Sequence, residues 1–240
     1  MTTDASPQEL PDPSAVGAII VSAGASSRMG AIDKTTVPLG GVPLIVRTVE
    51  LFERCDAVGV VVLLVSSGAF EDIADIAREN SWKKLLHVRF GGVRRQDSVR
   101  LGLEALPDCE WVVVHDGARP LASEKTIRDG LVAAAATGAA VAAVPAKDTI
   151  KLVTDDGKVI ETLDRRTLAL VQTPQVFRRD LLERAHEEIT DDVPDDAAMM
   201  EKLGITVAVF MGDYANIKVT TPEDLVLAEA LVARAEAASS

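Results

Sequence analysis

Short apolar runs alternate with amphipathic segments along almost the whole of this 240-residue chain, and that alternation constrains the fold more than any single motif. Val16–Val21, Val58–Val65, Leu85–Phe90, Trp111–His115, Ala139–Val144 and Ile205–Phe210 read as strands. Pro43–Cys55, Ala69–Glu79, Gln96–Leu106, Ser123–Thr137, Arg179–Glu188, Asp195–Leu203 and Pro222–Ala235 read as helices, with Pro43 and Pro222 in first turns and Thr221 as an N-cap. Strands and helices that alternate at this spacing build βαβ units. The predicted fold is α/β: a three-layer, Rossmann-like, mostly parallel sheet with helices on both faces. Hydrophobic residues make up 48% of the chain but aromatics only 3%, so the core must be built from Val, Leu, Ile and Ala, as in a sheet buried on both faces.

A chain of this length fits one large α/β domain, expected over residues 16–237. Met1–Ala15 carries prolines and acids but no Arg or Lys, and is expected to be a disordered leader rather than a targeting signal. The segment 146–166, AKDTIKLVTDDGKVIETLDRR, breaks the rhythm. Its alternating residues flank Asp155-Asp156-Gly157, a strong hairpin signal, and predict a protruding β-arm. Two strands alone are marginally stable, so the arm is expected to pack on a second copy of the chain and make a homodimer.

A formal net charge of −12 argues against general nucleic-acid binding and against attraction to an anionic membrane. A polyphosphate ligand would therefore need individually placed cations. Cys55 and Cys109 show no CxxC spacing and read as buried free thiols of a reducing compartment. No apolar run approaches the roughly 18 residues of a membrane span. A cytoplasmic enzyme is the expectation.

Residues Val16–Lys34, VGAIIVSAGASSRMGAIDK, carry the first chemical signal. A buried strand runs into a loop of Ser22, Ala23 and Gly24, then delivers Arg28 and Lys34. Small residues let backbone N–H groups approach a polyanion, and the two cations neutralise it. The loop is not G-x-G-x-x-G, because Gly24 is followed by Ala25-Ser26-Ser27. Nor is it a Walker A loop, because Asp33 precedes Lys34-Thr35. Hydride transfer and P-loop hydrolysis are both disfavoured. Asp116 ends an apolar run, which puts it at the carboxyl end of a strand, where α/β sheets bind ligands. Gly91 and Gly92 permit close backbone approach, and Arg95 and Ser98 open the next helix near its positive end.

The first loop resembles that of the nucleotide-diphospho-sugar transferase-like nucleotidyltransferases. Further stretches narrow the resemblance: Gly91-Gly92-x-x-Arg95-x-Asp97-Ser98, His115-Asp116-Gly117-Ala118-Arg119-Pro120, Lys147-Asp148-Thr149-Ile150-Lys151, Gln172-Thr173-Pro174-Gln175 and Asn216-Ile217-Lys218-Val219-Thr220. In this order and spacing they are similar to the 2-C-methyl-D-erythritol 4-phosphate cytidylyltransferases of the non-mevalonate isoprenoid pathway. Relatives that act on ribitol 5-phosphate share most of them.

The resemblance implies transfer of CMP from CTP to methylerythritol phosphate. It makes Arg28, Lys34 and Lys218 the catalytic cations. It implies nucleotide contacts at Ser22, Ala23, Gly24, Gly91, Gly92, Arg95, Ser98, Asp116 and Gly117. Acceptor contacts are implied at Asp116, Arg119, Thr149, Arg165, Thr173 and Lys218, with Thr149 and Arg165 reaching the neighbouring subunit's site. Mg²⁺ is the implied cofactor, bound mainly through CTP phosphates with no protein cage. Taken alone, Lys218 also reads as a solvated lysine, and the arm as plain structure. His115 reads as structural, because the attacking phosphate is already ionised and needs no base. Pro194-Asp195-Asp196-Ala197 departs from the family pattern, in which Thr is expected in place of Pro194.

Overall fold

The computed structural model describes residues 10–24 and 36–239, and Arg28 and Lys34 lie outside them. In chain order the elements are β1 (Val16–Ser22), β2 (Pro38–Leu39), β3 (Val42–Pro43), α1 (Leu44–Arg54), β4 (Val60–Val65), α2 (Phe70–Asn80), β5 (Leu85–Phe90), α3 (Arg95–Ala105) and β6 (Trp111–Asp116). There follow α4 (Glu124–Ala134), β7 (Ala139–Pro145), β8 (Lys151–Val153), β9 (Val159–Thr162), β10 (Ala169–Arg178), α5 (Arg179–Glu188), α6 (Asp196–Lys202), β11 (Ala208–Met211) and α7 (Pro222–Ser239). Pro13–Ala15, the last residues of the expected leader, form a 3-10 turn, and the Ala15 carbonyl accepts the Glu110 N–H.

Seven strands form one sheet in the order β11-β7-β10-β6-β1-β4-β5. Every neighbouring pair is parallel except those of β10, which runs antiparallel to both β6 and β7. Alternate residues of each strand enter opposite cores, as a period of two requires. Ala18, Ile20, Leu63 and Val113 pack with Ile45 and Phe52 of α1, Ile73 of α2 and Ile127 of α4. Ile19, Val62, Leu64 and Val114 pack instead with Val99 of α3, Leu182 of α5 and Met199 of α6. The three layers and the mostly parallel sheet thus follow the prediction. The hairpin β2–β3 carries α7 through Leu39, Val219 and Val232.

Most predicted elements fall within one or two residues of those observed. Pro43 is an exception by one position: it stands as the N-cap of α1, not in its first turn. Pro222 does begin α7, and Thr221 caps it by accepting the Asp224 N–H at 3.3 Å. Ile205–Phe210 was expected as a strand, yet β11 begins only at Ala208. The larger difference is β10, ten residues that the alternation did not predict. Pro174 within it argues against a central strand, since proline cannot donate to a ladder. The structure resolves this by a bulge: between Val171 and Gln175 β10 advances four residues while β7 advances two. The break falls on Gln172, Thr173 and Pro174, so the proline sits where no ladder bond is required.

Candidate active site

Strand β1 hydrogen-bonds β4 on one side and β6 on the other: the chain winds outward from β1 through β4 to β5 and then crosses back to β6. Such a switch point opens a crevice beyond the carboxyl ends of the strands. The pocket here is lined by Val21–Gly24 at the end of β1, Gly92–Arg95 and Ser98 at the start of α3, Asp116 and Ala118 at the end of β6, and Lys218.

Close packing holds the walls together. A Cβ at Gly91 would lie 2.1 Å from the Ala23 Cβ, so only glycine lets β5 end against the first loop. A Cβ at Gly117 would meet the Ser22 Oγ at 2.6 Å, and the Gly117 N–H donates to the Val21 carbonyl at 2.8 Å. Ser98 closes the next turn by accepting the Gly92 N–H at 3.0 Å. The Ser22 hydroxyl is buried and makes no hydrogen bond among the described residues.

Among the described residues, three cations converge on Asp116. Lys218 Nζ lies 3.0 Å from Oδ2, Arg119 Nε 3.4 Å from Oδ2, and Arg95 Nε 3.4 Å from Oδ1. Burial acts to raise the Asp116 carboxyl, but Arg95, Lys218 and Arg119 outweigh it and hold the group well below the usual carboxylate range. Arg119 is oriented from its far side, where Nη1 donates to the Asn216 carbonyl at 2.8 Å. Arg95 is likewise held by a second carboxylate, Asp196, at 2.5 Å from Nη1. Desolvation works against the Arg95 charge, and the two carboxylates more than offset it.

Behind Asp116 lies a hydrogen-bond chain. His115 Nε2 must donate to the Arg119 carbonyl at 3.0 Å, which leaves Nδ1 as an acceptor. The Thr173 hydroxyl lies 3.1 Å from Nδ1 and donates to it, while Thr173 Oγ1 accepts the Asp116 N–H at 3.0 Å. Burial pushes His115 down to about 4, so it is neutral at pH 7. The bulge in β10 is what aims Thr173 at the end of β6. On the far side of that bulge, the Asn216 Nδ2 donates to the Thr173 carbonyl at 2.8 Å.

The structure therefore gathers Ser22, Ala23, Gly24, Gly92, Arg95, Ser98, Asp116 and Lys218 around one pocket, with Gly91, Gly117, Arg119 and Thr173 forming its supports. Thr149 and Arg165 are elsewhere. They are exposed at the feet of the arm, where Arg165 Nη1 donates to the Lys147 carbonyl at 2.8 Å, and neither lines the pocket. Among the described residues, no group of three or more His, Cys, Asp or Glu side chains could hold a metal ion. Sequence reading missed Asp196 as the second anchor of Arg95, because an acid at the start of a helix looks like an ordinary N-terminal residue. The fully apolar face that follows it, Ala197, Met199 and Met200, was the signal that Asp196 would be buried.

A Rossmann-like sheet with cations gathered at a pocket at its switch point fits the nucleotidyltransferase class of α/β protein. The profile of the family described as IspD, 2-C-methyl-D-erythritol 4-phosphate cytidylyltransferase, matches residues 16–234. The chain is 46% identical over 217 residues to the 2-C-methyl-D-erythritol 4-phosphate cytidylyltransferase of Dehalococcoides mccartyi, covering 90% of this chain and 96% of that one. It is 45% identical to the enzyme of the same name from Geobacillus thermodenitrificans over 224 residues, 90% of this chain and 96% of the relative. The crystal structure of 4-diphosphocytidyl-2C-methyl-D-erythritol synthase from Anaerococcus prevotii superposes with a TM-score of 0.81 at 31% identity, covering 90% of this chain and 95% of that one. The chain belongs to the 2-C-methyl-D-erythritol 4-phosphate cytidylyltransferase family.

Proposed function

We propose that this chain transfers CMP from CTP to 2-C-methyl-D-erythritol 4-phosphate, releasing pyrophosphate, as a step of non-mevalonate isoprenoid synthesis. The observation that carries the reading is the Asp116 cluster at the switch point of a chain of this family, with Lys218, Arg119 and Arg95 turned onto one carboxylate. An acceptor phosphate oxygen attacks the α-phosphorus, the bond to the β-phosphate oxygen breaks, and pyrophosphate leaves with that electron pair. The acceptor oxygen is ionised at pH 7, so no general base is needed. His115, neutral and using both ring nitrogens internally, fits a supporting role.

What the chain must supply is positioning and positive charge for oxygens that become more negative at the transition state. Lys218 is the cation assigned to the α-phosphate. Arg28 and Lys34 are assigned to the triphosphate and leaving group on the strength of the loop sequence. Mg²⁺ is assigned to the triphosphate, held chiefly by phosphate oxygens and water. Both Asp116 oxygens already face cations, which suits an ion brought by the nucleotide, and its contribution would be to neutralise triphosphate charge.

The arm is assigned to a homodimer contact that brings Thr149 and Arg165 to the partner's site. Leu152, Val153, Val159 and Ile160 on the arm are all about half exposed, and a second copy would cover them. Two buried free thiols, Cys55 and Cys109, fit a cytoplasmic setting. The deciding assay is pyrophosphate release with each nucleotide against methylerythritol phosphate and ribitol 5-phosphate. Release with CTP and methylerythritol phosphate is expected. A preference for ribitol 5-phosphate, or for another nucleotide, would overturn the reading.

A further inference from the structure

Arg95 is held at two points of a planar group. Nη1 meets Asp196 Oδ2 at 2.5 Å, and Nε lies 3.4 Å from Asp116 Oδ1. A planar guanidinium fixed at Nε and Nη1 has no freedom left at Nη2. That third nitrogen is buried and makes no hydrogen bond among the described residues, in a residue that lines the nucleotide pocket. A buried guanidinium donor without a partner is costly, so the other contacts of the group must hold it in place.

Asp196 is itself fully buried, which is expensive for a carboxylate unless its oxygens are matched. They are matched: Oδ2 takes Arg95, and Oδ1 accepts the His186 Nε2–H at 3.2 Å. The surrounding backbone is stitched to the start of α3 as well, because Gln96 Nε2 donates to the Asp191 carbonyl at 3.1 Å. The segment joining α5 to α6 therefore braces the residue that opens α3.

We propose that Asp196, steadied by His186, is a positioning residue that fixes the Arg95 guanidinium in the pocket wall and so sets the affinity for the bound nucleotide. The proposal rests on the cytidylyltransferase reading and extends it to residues outside the pocket. A purely structural Asp196 would affect the amount of folded enzyme but not nucleotide affinity.

The test measures CTP binding by calorimetry, and the separate KM values for CTP and methylerythritol phosphate, on the full-length protein. The variants are Asp196→Asn, His186→Ala, His186→Gln and, as a control for the same helix, Lys202→Ala, which breaks the exposed pair with Asp191. Losing one charge-assisted hydrogen bond in the Asp196–Arg95 pair is expected to weaken CTP about 10- to 100-fold in Asp196→Asn. The KM for the acceptor should stay within about twofold by the same reasoning. His186→Ala should show part of the loss, His186→Gln should recover it through its amide donor, and Lys202→Ala should do neither. Folded Asp196→Asn with wild-type CTP affinity would overturn the proposal. Should that variant fail to fold, equal CTP affinity in His186→Ala and wild type would overturn it instead. Wild-type protein that neither binds CTP nor releases pyrophosphate would defeat the underlying reading, which is a separate result.

Discussion

Asp116 is almost buried, and desolvation alone would push its proton on; three cations within 3.4 Å take it off. The same cations are then available to a substrate anion, so one cluster both fixes a carboxylate and offers positive charge. Lys218→Ala should lower turnover about 10²–10³-fold if Lys218 acts like other preorganised transition-state donors. Lys125→Ala, which removes an exposed pair with Asp129, should leave the rate unchanged in the same pyrophosphate assay. His115 makes a second prediction. Its folded pKa of about 4 lies below the unfolded value of 6.5, so between these values the unfolded chain binds a proton that the native state refuses. Stability is then intact above about pH 6.5 and declines as pH falls towards 4, by about 3 kcal/mol from this group. Denaturant melts of wild type and His115→Gln across that range should show a shallower decline in the variant. A parallel decline would mean that His115 is not the responsible group.

At the scale of elements, the βαβ rhythm was legible because most strands of the sheet read as near-continuous apolar runs and most helices show one apolar stripe. Strand β10 was not legible. Its first three residues are exposed, its centre is polar, and Pro174 interrupts it. Its identity as a strand comes from having partners on both sides, which is a property of β6 and β7 and not of residues 169–178. The arm was legible from its turn and alternation, and β8 and β9 pair as an antiparallel hairpin. Its apolar side chains face out in the single chain, so Val153→Asp with Ile160→Asp should cost the monomer little. If these residues form the dimer contact, sedimentation should report a monomer at concentrations where wild type is dimeric, with a native circular dichroism spectrum. A double variant that stays dimeric and fully active would remove the arm from the assembly.

For the whole molecule, the three layers hold β1, β5 and β6 in register, so their carboxyl ends meet at one crevice. Ligand binding at such a junction of elements ties them together and should stabilise the native state by mass action. At about 100 times its Kd, CTP should add about 2.7 kcal/mol, a rise in Tm of about 5–10 °C for a chain of this size. A scanning melt with CTP, UTP and NAD distinguishes nucleotide classes directly: CTP should give the largest shift, and NAD none.

The sequence by itself determined the fold class and the family, because apolar periodicity and short motifs are local properties that survive without neighbours. It also named Arg95, Asp116, Arg119 and Lys218 one at a time. Only the tertiary structure decided that these four belong to one electrostatic unit, since Lys218 follows Asp116 by about a hundred residues and no spacing rule connects them. The same holds for Asp196 and His186, whose meaning comes from α6 and α5 packing against the start of α3. Charge coupling depends on distance and burial, and both are set by how the sheet folds the chain back on itself.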